Sequence, residues 1–183
     1  METITDSITL KKLKRNFADS ILEVFDKKHD YDTVLLKKEE LISAITFLKD
    51  DKELDYNILM DIVVVDYLKY PVKKTERFEV VYNLYSLTKN HRILLKCPVS
   101  IKDPNIDSIS HLWKAANWGE RECFDQFGIN FINHPNLKRI LNHHEFIGHP
   151  LRKDYPIKKR QTLSVNDSLM DEMDKRLKVK GLK

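Results

Sequence analysis

The residue types that do chemistry gather in three stretches, "WGERECFDQFG" (118–128), "NHPNLKRIL" (133–141) and "NHHEFIGHPLRKDYP" (142–156). His134, His143, His144 and His149 are candidate metal ligands through neutral imidazole. Adjacent residues of a regular element point apart, so His143 and His144 cannot face one ion without a contorted loop. No H-x-x-x-H pair sits on a helix, and ordinary loop histidines are the alternative. Cys123 beside one of these histidines would be a thiolate nucleophile. Its rival is a structural thiol buried inside a helix. Glu120, Glu122 and Asp125 around Arg121 offer paired carboxylates. Arg121 and Asp125 are four apart and can pair along a helix, while Glu122 faces elsewhere. Such a cluster is either a solvated face or, since Trp118, Phe124 and Phe127 hem it, a set of charges buried against a partner.

The segment "GHPLRKDYP" (148–156) restrains its own backbone. Gly148 permits angles barred to other residues. Pro150 and Pro156 fix φ and push His149 and Tyr155 toward extended geometry. Arg152 and Asp154 lie two apart, so an extended chain points them the same way and predicts desolvated ion pairs. Leu151 and Lys153 complete the display. Recognition of another protein is the functional reading; a proline-rich surface loop is the plain one.

Several classes fall away on composition. The four glycines, Gly119, Gly128, Gly148 and Gly181, stand too far apart for G-x-G-x-x-G or a Walker loop, so no nucleotide is expected through those motifs. Cys97 and Cys123 lie 26 apart with no C-x-x-C, which disfavours a cysteine-held zinc or iron–sulfur centre and fits a reducing compartment. The 183 residues are 42% hydrophobic and 33% charged, a globular composition with room for one ordinary domain. The longest apolar run, Ile62 to Val65, cannot cross a bilayer, and the first residues do not read as a secretory signal. The net charge of +4 resides in residues 157–183, which carry eight Lys/Arg and four Asp/Glu. A near-neutral body argues against nucleic-acid binding.

The elements that must position these residues follow from periodicity. Ser7 to His29 predicts an amphipathic helix on Leu10, Leu13, Phe17, Ile21, Val24 and Phe25. Tyr31 to Leu36 predicts a strand, and Lys38 to Asp50 a helix. Asn57–Tyr67, Arg77–Leu87 and His91–Val99 predict a three-stranded meander, with a hairpin turn at Lys-Asn-His. Asp107 to Phe127 predicts a third helix capped by Asp107 or Ser108, kinked or broken at Gly119 and ended by Gly128. The fold class is α+β, in the order αβα-βββ-α, with helices packed on a mainly antiparallel sheet. Residues 1–156 form one domain with a signature region at 117–156; residues 157–183 form a basic extended tail with a short helix near 168–177.

Two linked segments carry a resemblance: E-R-E-x-x-D-x-F-G-I (120–129) with H-P-x-L-x-R-I-L (134–141), then G-H-P-L-R-K-D-Y-P (148–156). They resemble the C subunit of the proton-translocating NADH–quinone oxidoreductase, the respiratory complex I component known in mitochondria as the thirty-kilodalton subunit. The resemblance covers Asn117 to Pro156. Gly119 stands where an aromatic is common, and the Lys-rich tail lacks the S-P-W-E ending of many relatives.

The resemblance implies a non-catalytic scaffold in the peripheral arm, packed against the neighbouring D subunit. FMN and iron–sulfur centres belong to other subunits, so this chain holds no cofactor or metal. Contact with the membrane comes only through the complex, on the cytoplasmic side of a bacterial inner membrane or the matrix side of a mitochondrial one. The implied interface and signature residues are Trp118, Glu120, Arg121, Glu122, Asp125, Gly128, His134, Pro135, Arg139, Gly148, His149, Pro150, Leu151, Arg152, Lys153, Asp154, Tyr155 and Pro156. The alternatives are the equivalent component of a membrane-bound [NiFe] hydrogenase or formate hydrogenlyase, and an independent His-ligated metal enzyme.

Overall fold

The computed structural model describes residues 7–25, 31–161 and 168–181. Helix α1 spans Ile8–Phe17, capped by the Ser7 hydroxyl accepting from the Leu10 N–H. The single long helix expected for 7–29 is not formed. Phe17 leaves helical geometry, Ala18–Ser20 make one 3₁₀ turn, and Ile21–Phe25 is strand β1. The apolar residues at 21, 24 and 25 suit either periodicity. Pairing of β1 with β2 (Asp32–Leu36) decided for strand. Residues 26–29 of the expected helix lie outside the described residues.

Helix α2 (Leu41–Asp50) follows a 3₁₀ turn at Lys38–Glu40. Strands β3 (Ile58–Asp66), β4 (Phe78–Ser86) and β5 (His91–Val99) form the expected antiparallel meander. Asn90 takes a positive φ in the turn and its side chain accepts from the Tyr85 hydroxyl. The five-stranded sheet runs β1-β2-β5-β4-β3, with only β2 and β5 parallel. Alternate residues of β4 and β5 (Phe78, Val80, Tyr82, Leu84; Ile93, Leu95, Cys97, Val99) are buried and form one core with Leu10, Leu13, Leu41, Ile45 and Leu48 of the helices. The α+β class and the mainly antiparallel sheet are as the periodicity indicated.

The third helix differs at its start. Asn105–Asp107 is a short strand β6, turns follow, and α3 runs only from Ala116 to Phe127. Neither Asp107 nor Ser108 caps it, since the N-cap is Ala115. Strand β6 pairs in parallel with β7 (Asn130–Ile132), an element the pattern did not show. Helix α3 is continuous through Gly119, which brings it against Ile62: a Cβ there would lie 3.4 Å from the Ile62 Cβ. Gly128 ends α3 in the left-handed region at φ 74°, as expected. Helix α4 (Ser168–Val179) covers the expected helical piece of the tail.

Candidate partner-binding surface around the α3 terminus

A helix ends with orphan carbonyls, and α3 meets that need with the signature loop. The His149 ring Nδ1–H donates to the Asp125 carbonyl at 3.0 Å, the Leu151 N–H to Gln126 at 3.2 Å, and Arg152 Nε to Phe127 at 2.6 Å. The Gly128 N–H returns to Phe124 at 2.8 Å. The 148–155 loop is thus an external cap for α3. Its cation lies where the helix dipole favours one. Gly128 is the floor of this arrangement: a Cβ there would come 2.5 Å from Arg152 Nη2 and 2.5 Å from His149 Nε2.

Asp125 organises the preceding turn. Its fully buried carboxylate accepts from Arg139 Nη1 at 2.6 Å, from the backbone N–H groups of Ile140, Leu141 and Asn142 at 3.0, 2.8 and 2.8 Å, and from Asn142 Nδ2. Burial opposes its charge, but the Asn142 N–H groups and the Arg139 guanidinium overcome it and hold the carboxyl well below the usual range. Arg139 Nη2 also donates to the Gly148 carbonyl at 2.9 Å, tying the turn to the loop. The Arg121–Asp125 pairing that the spacing allows is therefore not formed. Arg121 donates instead to the carbonyls of Lys138 and Arg139 and lies over the Trp118 ring.

The loop is not extended. Arg152 N–H bonds back to His149 and Tyr155 N–H to Arg152, giving successive turns. Asp154 pairs with Arg77, but the pair is not desolvated as expected, since the Asp154 side chain is 52% exposed; Arg77 also grips buried Asp66 through two bonds of 3.0 and 2.8 Å. The Lys153 N–H donates to Asp66 at 2.9 Å. Burial opposes the Asp66 charge, but Arg77 and the backbone donors hold its carboxyl below its ordinary value. Arg152 has no carboxylate within 4 Å among the described residues. The expected ion pair is replaced by the Phe127 carbonyl and by the Phe78 ring, 5.3 Å from the guanidinium. Burial first, then the Arg77 charge, lowers the Arg152 pKa. Burial, then the cations Arg152 and Arg139, also holds His149 below the usual imidazole value.

Glu120 forms a second buried centre. It accepts from Ser108 Oγ at 2.6 Å and the Ile109 N–H at 2.7 Å, and burial pushes its pKa up to about 7. His134 Nε2 lies 3.9 Å from it and 3.2 Å from the Asn117 carbonyl. The His143 and His144 rings are 4.1 Å apart, closer than a regular element allows. Among the described residues no group of three or more His, Cys, Asp or Glu side chains could hold a metal ion. Cys123 is buried, its thiol turned to the Ile62 carbonyl and its pKa raised by burial.

What the site shows to solvent is a set of apolar side chains beside the exposed charges of Glu122 and Asp154. Trp118 is 66% exposed, Leu141 65% and Leu151 51%, while Pro135, Lys153 and Pro156 are also exposed. Trp118 and Leu141 line a groove with Met60, Ile62, Gly119, Asp61 and Glu122 between β3 and α3. Tyr155 stacks on Phe146, with its hydroxyl bonded to Gln161; Pro150 is half-buried in the turn. Sequence reading missed Asp66, Arg77, Ser108 and Asn142. Asp66 and Arg77 close the β3–β4 connection, and an opposite-charge pair at facing strand ends was the available signal.

Comparison with known proteins decides the family. Residues 34–161 match the model of the respiratory-chain NADH dehydrogenase 30 kDa subunit. The chain belongs to that family. The NADH-quinone oxidoreductase C subunit of Geotalea uraniireducens is 46% identical over 146 residues, 80% of this chain and 85% of that protein. The C subunit of Roseiflexus castenholzii is 43% identical over 148 residues, 81% and 82% of the two chains. A trypsin-resistant fragment of Nqo5 superposes with a TM-score of 0.63 at 34% identity, covering 71% of this chain and all of the fragment. The membrane-bound sulfane sulfur reductase, an archaeal respiratory membrane complex, contains a chain with TM-score 0.66 and 17% identity, covering 86% of this chain and 95% of that one; it shares the fold. In this member of the 30 kDa family, the E-R-E motif supplies the buried Glu120 and the Arg121 clamp. The H-P-x-L-x-R-I-L motif supplies Arg139, and G-H-P-L-R-K-D-Y-P supplies the helix cap.

Proposed function

We propose that this protein is a non-catalytic scaffold in the peripheral arm of a proton-translocating NADH–quinone oxidoreductase, packed against the neighbouring D subunit. Electrons pass from NADH through FMN and iron–sulfur centres of other subunits to quinone. One observation carries the reading: Asp125, Arg139, His149 and Arg152 of the signature are spent on the α3 terminus and its capping loop, while Trp118, Leu141 and Leu151 face outward beside the exposed charges Glu122, Lys153 and Asp154. A reactive loop keeps its polar groups free to meet substrate; here Asp125, His149, Arg139 and Arg152 are used up in building a rigid surface. An exposed tryptophan such as Trp118 is among the residue types that carry most of the energy of protein–protein contacts, and Leu141 and Leu151 extend the apolar surface beside it. No described helix is long and apolar enough to cross a membrane. On this reading the chain is attached through its neighbours, on the cytoplasmic side of the inner membrane.

The test is purification of the tagged chain from native membranes. The D subunit and the flavin- and cluster-bearing subunits should accompany it, and high salt or mild chaotrope should release them together. Retention in the bilayer after alkaline washing, or recovery with a [NiFe] hydrogenase large subunit in place of the D subunit, would overturn the assignment.

A further inference from the structure

We propose that Glu120 is a buried proton-binding site that exchanges with solvent through the hydroxyls of Ser108 and Ser110, the side chains that tie the 108–110 turn to α3. Glu120 and Ser108 are sealed from solvent, whereas Ser110 is half-buried. The link is continuous: Glu120 Oε2 to Ser108 Oγ is 2.6 Å, and Ser108 Oγ to Ser110 Oγ is 2.8 Å. Ser108 Oγ also accepts the Ser110 N–H at 3.1 Å.

A hydroxyl has one proton and two lone pairs, so this chain can run in either direction. With the carboxylate ionised, Ser110 donates to Ser108 and Ser108 donates to Glu120. When a solvent proton binds Ser110 Oγ, the Ser110 proton passes to Ser108 and the Ser108 proton to Glu120 Oε2. Glu120 then donates to Ser108 and Ser108 to Ser110. One proton enters, one carboxyl is neutralised, and no heavy atom has to move.

The neighbouring His134 ring has both nitrogens engaged. Its Nδ1 accepts the Asn136 N–H at 3.0 Å, a group that can only donate, so Nδ1 carries a lone pair. The ring proton therefore resides on Nε2, facing the Asn117 carbonyl and Glu120. Tyr82 of β4 and Cys123 of α3 interact electrostatically with Glu120, and Cys97 of β5 and Asp107 of β6 with Tyr82. Burial raises Tyr82 and both thiols, which stay neutral. No lysine or arginine lies within ion-pair distance of Glu120 among the described residues. The carboxyl is thus sealed, lacks a cation, and is wired to the surface by two hydroxyls.

Carbon-13 NMR of glutamate carboxyls in the full chain, titrated across the neutral range, tests this. One glutamate should titrate near neutrality, and Glu120→Gln should remove that resonance. Ser110→Ala should keep the midpoint and slow the exchange, splitting or broadening a signal that the parent chain averages. If the Glu120 carboxyl titrates with the bulk glutamates, the site does not exist. If Ser110→Ala exchanges as fast as the parent, the relay is wrong.

Discussion

Glu120 and Asp125 lie five positions apart on α3, both carboxylates fully buried, yet their protonation equilibria move in opposite directions. Asp125 collects a guanidinium, three backbone N–H groups and an amide. Glu120 collects one hydroxyl and one N–H, with no cation. Burial disfavours the charged form of both; the donor set decides which carboxylate survives it.

This contrast sets the pH profile of stability. Glu120 has a folded value raised from 4.5 to about 7. Its contribution is complete below the ordinary value and is lost as pH rises toward 7, a loss of about 3 kcal/mol on linkage arithmetic. Asp125 has a depressed folded value, so its contribution is present above the ordinary carboxylate range and is lost on acidification. Denaturant unfolding should show greatest stability in mildly acidic solution. Glu120→Gln should flatten the alkaline side only; a flat alkaline side in the parent chain would refute the assignment.

Removing the Asp125 charge strands Arg139 and leaves three N–H groups facing an amide. Asp125→Asn should destabilise the chain by roughly 3–5 kcal/mol in urea unfolding, the range for a broken buried pair. A change below about 1 kcal/mol would mean that the backbone donors find other partners.

Arg152→Ala removes a charged bond to the Phe127 carbonyl and should cost roughly 1.5–3 kcal/mol. His149→Ala should cost about 1 kcal/mol. Asp154→Ala breaks a pair whose carboxylate is 52% exposed and should cost only about 0.2–1 kcal/mol. Urea unfolding of the three variants should rank them Arg152, His149, Asp154. Asp154 ranking first would place the anchor of the loop at Arg77 instead of α3.

Gly128→Ala carries two penalties, a left-handed backbone costing about 1–2 kcal/mol and a clash with Arg152 and His149. In a His149→Ala/Arg152→Ala background the clash disappears and only the backbone part should remain. Equal cost in both backgrounds would show that the loop yields freely.

Trp118→Ala should leave the isolated chain as stable as its parent, within about 0.5 kcal/mol, because the ring is largely exposed. On the scaffold reading it should weaken assembly by about 2 kcal/mol or more, seen as loss of co-purifying subunits at moderate salt. Full assembly with the substitution would remove Trp118 from the contact surface.

Local pattern alone determined the β3-β4-β5 meander, α2, and Gly128 as the stop of α3, because alternation and a glycine past a helix end are short-range signals. The same sequence also carried the family signature across 117–156. Tertiary structure decided the rest. Residues 21–25 suited either periodicity, and pairing with β2 made them a strand. Arg121, the right four residues from Asp125, lost it to Arg139, because Arg139 arrives on a turn that brings three backbone N–H groups with it. Arg152 met a helix terminus instead of a carboxylate, and Asp154 met an arginine 77 positions earlier. Sequence spacing sets which charges are near along the chain. A buried charge goes to the donors that desolvation leaves beside it, and only the packed fold brings those together.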